Sequence, residues 1–250
     1  MNRIAMLGLV CAMASGAQDA RQIIQEAQRR SRSVSQLYEG ILRVIDKNGK
    51  TTEKRWQYDR KGSHGDSKVV LRFTAPPEVK GVALLIVNHP DRASDQWMWT
   101  PAIARERRVA VQDRSSRFFG TDFSFEDLEE RDVDQYDFRL LGEETVDGAA
   151  CWKLESRPKE AKSSQYTHAL MWVRRDNYVF HRIESYKKDQ LVRRLKYSDI
   201  QNIQGIWTPR TMEMIDLTRN SRTIMKSEKI EYNVPARDED FTLQALRRSS

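Results

Sequence analysis

The sequence is poor in cysteine, glycine and proline, and it has no long hydrophobic run. Of its two cysteines, Cys11 lies in a leader-like segment, so Cys151 would be the one cysteine of the processed chain and no internal disulfide is expected. We interpret Cys151 as a small buried hydrophobe rather than a reactive thiol. None of the glycines falls in a Gly-x-Gly-x-x-Gly spacing, and no stretch is apolar for long enough to cross a bilayer as a helix.

Catalytic motifs are missing as well. The four histidines, His64, His89, His168 and His181, are scattered and form no His-Glu-x-x-His or Cys/His cluster. No Gly-x-Ser-x-Gly motif is present to hold a nucleophile. The sequence therefore predicts that the protein is not an enzyme and that it holds no metal and no cofactor.

The densest polar feature is acidic. It consists of Asp122, Glu126, Asp127, Glu129, Glu130, Asp132, Asp134 and Asp137. Paired carboxylates can carry out acid–base catalysis, but no nucleophile–base pattern accompanies these. The spacing also lacks the glycine and the distal glutamate of a calcium loop. A solvated helix whose early acids suit its dipole is the plainer interpretation, and a hydrolase is the alternative.

The N-terminal segment predicts export. Residues 1–17 read MNRIAMLGLVCAMASGA, with one early arginine, a short apolar run and small residues before Gln18. This is the layout of a secretory signal peptide, which leaves residues 18–250 as a single domain outside the cytoplasm. A buried N-terminal helix is one alternative. A lipid-modified Cys11 is another, although the residues before it do not fit a lipobox.

The charge is mildly basic, with 43 Lys and Arg against 36 Asp and Glu and a net charge of +7. Such an excess can reflect nucleic-acid binding, anionic lipid headgroups or solubility alone. Because the chain is expected to be exported and its charges are interspersed, nucleic acid is excluded as a partner. An anionic lipid remains open, beside the interpretation that basic residues protect strand edges.

The hydrophobic pattern changes from helical to alternating early in the chain. Asp19 can cap a short helix over residues 20–30. About eleven short strands follow, joined mainly by hairpins such as the Asn-Gly turn predicted at residues 48–49. One more helix is indicated at residues 124–128 by a capping-box pattern. The order predicts a mainly β fold, with a single large curved antiparallel sheet or barrel.

Several predicted strands are apolar on both faces, notably residues 82–87 and 168–173. A strand with one solvated face should instead alternate apolar and polar residues. Two interpretations remain open. Either a helix or a long loop covers the second face, or that face lines a cavity for an apolar ligand.

Aromatic and methionine residues are the candidates for such a cavity. Trp97 and Trp99 share one strand face, as Met212 and Met214 share another. Four phenylalanines crowd the segment around Gly120: Phe118, Phe119, Phe123 and Phe125. Large aromatics and methionine suit surfaces that adapt to varied apolar partners, although each one taken alone is better explained as core.

Four segments form a series that is similar to a known family. They are residues 71–81 (LRFTAPPEVKG), 97–102 (WMWTPA), 118–128 (FFGTDFSFEDL) and 205–210 (GIWTPR). Together they resemble the outer-membrane lipoprotein-sorting proteins, the LolA-like family, over roughly residues 35–241. The resemblance implies a strongly curved, unclosed half β-barrel with helices over its open concave side. It also implies an apolar concavity that holds acyl chains, and nothing catalytic.

We therefore expect a periplasmic carrier that binds lipid or lipoprotein acyl chains and moves them towards the outer membrane. An inner-membrane transporter and an outer-membrane acceptor are its expected partners. The alternative is a non-catalytic interaction or sensor module that docks on a membrane transporter of lipids or hydrophobes. The lipid-binding residues predicted from strand facing are Leu84, Ile86, Trp97, Trp99, Met171, Trp172, Met212 and Met214. Phe118, Phe119, Phe123 and Phe125 are predicted to form a lid or docking loop.

Overall fold

The structure, a computed structural model, describes residues 19–130 and 133–248, and the predicted signal peptide lies outside these residues. Thirteen strands form one antiparallel sheet that does not close. Their spatial order is β6-β5-β4-β3-β2-β1-β13-β12-β11-β10-β9-β8-β7. The expected mainly β, unclosed fold is confirmed. None of the described helices has the length and apolar character needed to span a membrane.

The strands are β1 (Ser35–Ile45), β2 (Thr51–Ser63), β3 (Asp66–Ala75), β4 (Ala83–Asn88), β5 (Asp95–Thr100), β6 (Arg105–Arg108), β7 (Tyr136–Val146), β8 (Ala149–Pro158), β9 (His168–Arg174), β10 (Phe180–Lys187), β11 (Gln190–Ile203), β12 (Ile206–Asp216) and β13 (Ser221–Tyr232). The α-helices are α1 (Ala20–Arg30) and α2 (Leu243–Leu246). Short 3₁₀ turns occupy several of the loops.

Helix α1 forms where the sequence predicts it. The Asp19 side chain accepts a hydrogen bond from the first turn, and the Gln22 side chain completes a capping box. Its buried residues Ile23, Ile24 and Ala27 form one stripe that faces the sheet. The helix is short, so packing on the sheet rather than intrinsic propensity stabilises it.

Of two local predictions, the Asn-Gly turn is confirmed and the helix at residues 124–128 is wrong. The β1–β2 hairpin turns at the predicted Asn-Gly pair, and Gly49 has a φ of 81°, which favours glycine. The helix expected at residues 124–128 is instead a single 3₁₀ turn, Glu126–Leu128. The chain becomes extended again at Glu129, so the Ser124 and Asp127 contacts cap only that one turn.

The sheet has two faces with different covers. We call the face that carries α1 and residues 109–130 the inner face, and the opposite one the outer face. Outer-face residues of β3 and β4, including Val70 and Leu85, are covered by Phe241 and Leu246 of the C-terminal segment. The C-terminal segment therefore explains why β4 is apolar on its outer face. This agrees with the interpretation that a helix or loop covers the second face of a doubly apolar strand.

Candidate functional site

The inner face is divided into a filled half and an open half. Residues 109–130, which we call the plug loop, occupy the half formed by β1–β4, β12 and β13. Phe118, Phe123 and Phe125 of this loop are buried within the same hydrophobic cluster as Leu84. The Phe118 ring stacks on that of Phe73, with centroids 5.4 Å apart. This half therefore has a dry, well-packed core and no room for a ligand.

The plug loop is fastened to β13 by a buried carboxylate. The Thr223 hydroxyl donates to Asp122 Oδ2 at 2.8 Å, and the Asp122 backbone N–H donates back to the Thr223 hydroxyl at 2.8 Å. Ser221 Oγ and Arg117 Nη2 both donate to Asp122 Oδ1. Asp122 is completely buried, and its charge is met by one guanidinium and by these hydroxyls.

A second carboxylate fastens the end of the plug loop to β11. The Tyr166 hydroxyl donates to Asp127 Oδ1 at 2.8 Å, and Arg193 Nη1 donates to Asp127 Oδ2. Burial, followed by the nearby Asp127 charge, raises the pKa of Tyr166 well above its usual range. These acidic side chains hold the loop on the sheet. Among the described residues, no group of His, Cys, Asp and Glu side chains could hold a metal ion.

The open half is a cavity of about 450 Å³ between α1, the end of the plug loop and strands β7–β12. Its size lies in the range of small-molecule sites, which run from roughly 300 to 1,000 Å³. Its apolar lining comprises Ile24, Ala27, Val133, Phe138, Ala169, Met171, Val179, Phe180, Ile183, Leu195, Pro209 and Met214. Cross-strand pairs such as Met171 with Ile183 and Leu195 with Met214 place these side chains next to one another.

The lining includes polar side chains at the C-terminal end of α1. The Arg30 guanidinium lies over the Tyr178 ring, 4.1 Å from its centroid. Ser31 Oγ is 3.3 Å from His64 Nε2, and burial lowers the pKa of His64. Trp207, also in the lining, is 43% exposed.

The structure separates the predicted lipid-binding residues into four places. Met171 and Met214 line the cavity. Leu84 and Ile86 lie under the plug loop, and Met212 packs against the same cluster. Trp97 and Trp99 pack against the outer-face cluster that contains Phe241, and Trp172 lies in another cluster with Cys151. The loop residues Phe118, Phe123 and Phe125 are buried, and Phe119 is partly buried against them.

Most of the cavity wall was not among the predicted residues. Leu195 of β11 stands between Arg194 and Lys196, and this alternation was available in the sequence. Phe180 and Ile183 of β10 are three residues apart, and an irregularity after Phe180 brings them to the same face, which an alternating pattern does not predict. The predicted lipid-binding set consists mainly of tryptophan and methionine, large apolar side chains that do not all lie on the face that forms the cavity. Ile24 and Ala27 could be found only as the stripe of α1, because nothing in the sequence says which strands that helix covers.

Comparisons with known proteins agree on the fold. A family model with the description "-like: Uncharacterized protein" matches residues 65–248. No curated protein matches the chain. The crystal structure of a DUF1329 family protein from Desulfovibrio piger is 29% identical, with a TM-score of 0.86 over 91% of this chain and 97% of that one.

Two further crystal structures share the fold at lower identity. One, described as an outer membrane lipoprotein-sorting protein domain from Vibrio parahaemolyticus, is 24% identical with a TM-score of 0.87, covering 92% of this chain and 98% of that one. A LolA superfamily protein from Nitrosomonas europaea is 20% identical with a TM-score of 0.73, covering 91% and 99%.

Proposed function

We propose that this chain, as a member of the LolA-like family, is a periplasmic carrier of lipid. The family model that matches the chain covers residues 65–248. In this proposal the cavity on the inner face holds an acyl chain of a lipid or lipoprotein. The carrier then moves that ligand towards the outer membrane. The protein performs no chemical step, and binding and release are its whole activity.

The observation that carries the proposal is the unfilled, mainly apolar cavity beside a half of the same face that is fully packed. Moving a hydrocarbon chain from water into an apolar site gains about 0.8 kcal/mol per methylene. Most of the cavity wall consists of methionine, aliphatic and aromatic side chains, which adapt to a chain without a fixed shape. The site therefore suits hydrocarbon better than a polar metabolite.

Release requires a wall that can move, and α1 is the candidate. Ile23 and Ile24 attach it to the sheet through apolar contacts, and Arg21 adds an ion pair to Asp134 at the surface. Such a cover can exchange between closed and open states, and a partner that binds the open state shifts the population. An inner-membrane donor and an outer-membrane acceptor would act in this way.

Periplasmic location rests on the N-terminal segment. N-terminal sequencing of the protein recovered from the periplasmic fraction of an expressing cell should begin at Gln18. Recovery of uncut protein from the cytosol would contradict both the location and the carrier role.

The decisive experiment is extraction and mass spectrometry of the purified protein, followed by titration with a fluorescent fatty acid. Leu195→Asp places a charge in the cavity wall and should weaken binding at least tenfold, whereas Lys196→Asp changes the next residue, on the outer face, and should not. Thermal unfolding of both variants verifies that they fold. If no lipid is extracted and no fatty acid binds, the carrier proposal is wrong.

A second function, a docking or sensor module, is favoured by one observation. The buried phenylalanines Phe118, Phe123 and Phe125 fill half of the inner face with the protein's own side chains. A module of this kind would have a stoichiometric protein partner and no bound lipid. Crosslinking in cells, followed by identification of the crosslinked protein, distinguishes it from a carrier.

A further inference from the structure

We infer that the cavity has an opening through the sheet itself, between β10 and β11, and that the hydrocarbon chain of a ligand passes there when it enters and leaves the protein without a partner. The inference rests on the proposed carrier function and adds a route to it. It follows from the register of the strands, from the walls that the cavity shares with a groove on the outer face, and from the packing of α1.

The sheet is split between β10 and β11 along the second half of β11. The two strands pair from Lys187 with Gln190 as far as Arg182 with Lys196. Strand β11 continues to Ile203, but in the part of the chain that the structure describes, its residues beyond Lys196 pair with β12 alone. Widening this split therefore breaks no backbone pairing between strands.

The end of the β11–β12 hairpin, residues 197–210, forms an arm on one side of the split. Strand β12 pairs with β13 only from Thr211 onward, so the arm is not part of the main ladder there. Side chains hold it on that side, since the Arg210 guanidinium donates to the carbonyl oxygens of Ser227 and Glu228 at 3.2 and 3.0 Å. The arm is attached at β13, and its β11 edge can move away from β10.

The split lies between the cavity and a polar groove on the outer face. The groove is lined mainly by charged and hydroxyl side chains: Asp147, Arg174, Asp176, His181, Arg182, Lys196, Ser198, Asp199, Thr211 and Glu213. Asn177, Tyr197 and Trp207 line both the cavity and the groove. These three side chains therefore separate the two spaces.

The side chains at the split suit the passage of a hydrocarbon chain. The Phe180 ring of β10 and the Tyr197 ring of β11 lie across it, with centroids 6.4 Å apart. Val179 and Pro209 line the cavity from the two sides of the split. Trp207 is 43% exposed, so it can turn aside without leaving a packed environment. A hydrocarbon chain would meet aromatic and aliphatic surface on its way in.

Lifting α1 from the sheet is the more costly way to open the cavity. Ala20, Ile23 and Ile24 are at most 5% exposed, and they pack in one cluster with sheet residues such as Leu154. This apolar surface would meet water if the helix left the sheet without a partner to cover it. Spontaneous exchange of ligand therefore uses the split, whereas displacement of α1 accompanies the binding of a partner.

The test closes the split with a covalent bridge in the full processed protein. Asp176→Cys and Ser198→Cys place one exposed thiol on each side of the split, at positions that line the groove. A short bismaleimide joins the thiols, and intact-protein mass spectrometry measures the yield. Cys151 is completely buried and should stay unmodified. Stopped-flow fluorescence then gives the rates of binding and release of a fluorescent fatty acid.

The split bridge should slow both association and dissociation at least tenfold. The dissociation constant should stay unchanged, because the bridge obstructs the path and does not alter the bound state. Trp207→Ala opens the split without any reagent and should raise the association rate constant severalfold. This second variant tests the same path if the bridge forms in low yield.

Two further bridges are the controls. Lys196→Cys with Glu213→Cys places the same reagent in the groove between paired residues of β11 and β12, without crossing the split. Arg21→Cys with Asp134→Cys replaces the ion pair that joins α1 to the chain before β7, and so locks the helix. Both controls should exchange the fatty acid at the rates of the parent.

The outcomes separate the two proposals. Parent rates in the protein with the split bridge, or in Trp207→Ala, overturn the inference and leave the carrier function intact. Slowing by the α1 bridge, or equal slowing by the bridge within the β11–β12 pair, overturns the inference as well. Failure of the parent protein to bind the fatty acid overturns the carrier function and the inference together.

Discussion

Met171 and Trp172 are neighbours in the chain but lie on opposite faces of the sheet. Met171 lines the cavity on the inner face. The Trp172 ring packs beneath the Arg182 guanidinium, 3.9 Å from its centroid, and its indole N–H donates to Glu144 at 3.1 Å. Strand alternation requires this separation, because successive side chains point to opposite sides. A strand that is apolar on both faces can therefore line a cavity with one face and pack in a hydrophobic cluster with the other.

This separation predicts that substitutions at the two positions differ in their effect on ligand binding. Met171→Lys buries a charge in the apolar wall and should weaken fatty-acid binding at least tenfold. Trp172→Phe removes the indole hydrogen bond to Glu144 on the outer face and should leave the dissociation constant unchanged. Fluorescence titration of both purified variants measures the effect, and weaker binding by folded Trp172→Phe would contradict the assignment of the faces.

The fastening of the plug loop predicts a large stability effect at Asp122. Asp122→Ala removes the carboxylate that pairs with the Arg117 guanidinium and that accepts from two buried hydroxyl groups, so the free energy of unfolding should fall by about 3–5 kcal/mol. Asp137→Ala, at an exposed acid of β7, is the matched control and should change it by less than about 0.5 kcal/mol. Urea denaturation followed by circular dichroism gives both values.

Trp207 should report on ligand binding by its fluorescence. It is partly exposed and lines the cavity, whereas Trp56 and Trp172 are buried elsewhere. A bound chain should shift the emission of the protein to shorter wavelength and protect it from acrylamide. In Trp207→Phe the ligand-dependent shift should be largely lost, while Trp172→Phe should keep it. A shift of normal size without Trp207 would show that the ligand binds elsewhere.

Glu26 predicts a pH dependence at low pH. Hydrogen bonds from Arg29, and then from Arg30, lower the pKa of Glu26 from 4.5 to about 2. Because the pKa is lower in the folded state, the stabilising contribution is present above about pH 4.5 and is lost as the pH falls towards 2. The melting temperature of Glu26→Gln should therefore lie below that of the parent at pH 6, and the two should converge near pH 2. A difference that persists at pH 2 would contradict this origin.

Cys151 should be unreactive in the folded protein. It is completely buried, and burial raises the pKa of its thiol, so little thiolate is present at neutral pH. A thiol reagent such as dithionitrobenzoate should modify it only after addition of denaturant. Rapid labelling of the native processed protein would place the thiol at the surface instead.

The sequence predicts much of the fold, because α1, the hairpins and the alternating strands are local patterns. Strand β6 is an exception. Its residues Arg105–Arg108 are charged and mostly exposed, so it has no hydrophobic period. It pairs with β5 through the backbone and through the Arg108 side chain, which contacts Asp95 and Trp97. Local capping chemistry likewise could not show that the turn at Glu126–Leu128 would stop after three residues.

The candidate site was less accessible from the sequence, because it depends on which segments cover which half of the sheet. The pattern of Leu84 and Ile86 is equally consistent with a ligand cavity and with a core beneath a loop. Only the folded chain shows that the plug loop covers these residues, while α1 leaves space over Met171 and Met214. Which segment covers which strands depends on tertiary packing, and the hydrophobic period of a single strand does not determine it.

The pairing of β1 with β13 determines when folding can be completed. Strands β1–β6 pair in chain order, as do β7–β13, and the contact between Ile41 and Lys226 belongs to the one strand pair that joins the two series. Closing that contact requires nearly the whole domain to have been synthesised, and the entropy lost in doing so slows the step. Until then β1 and β13 each have one edge without a partner strand. Such an edge can pair with another chain, so the unfinished domain is prone to aggregation, whereas in the finished sheet the two edges pair with each other.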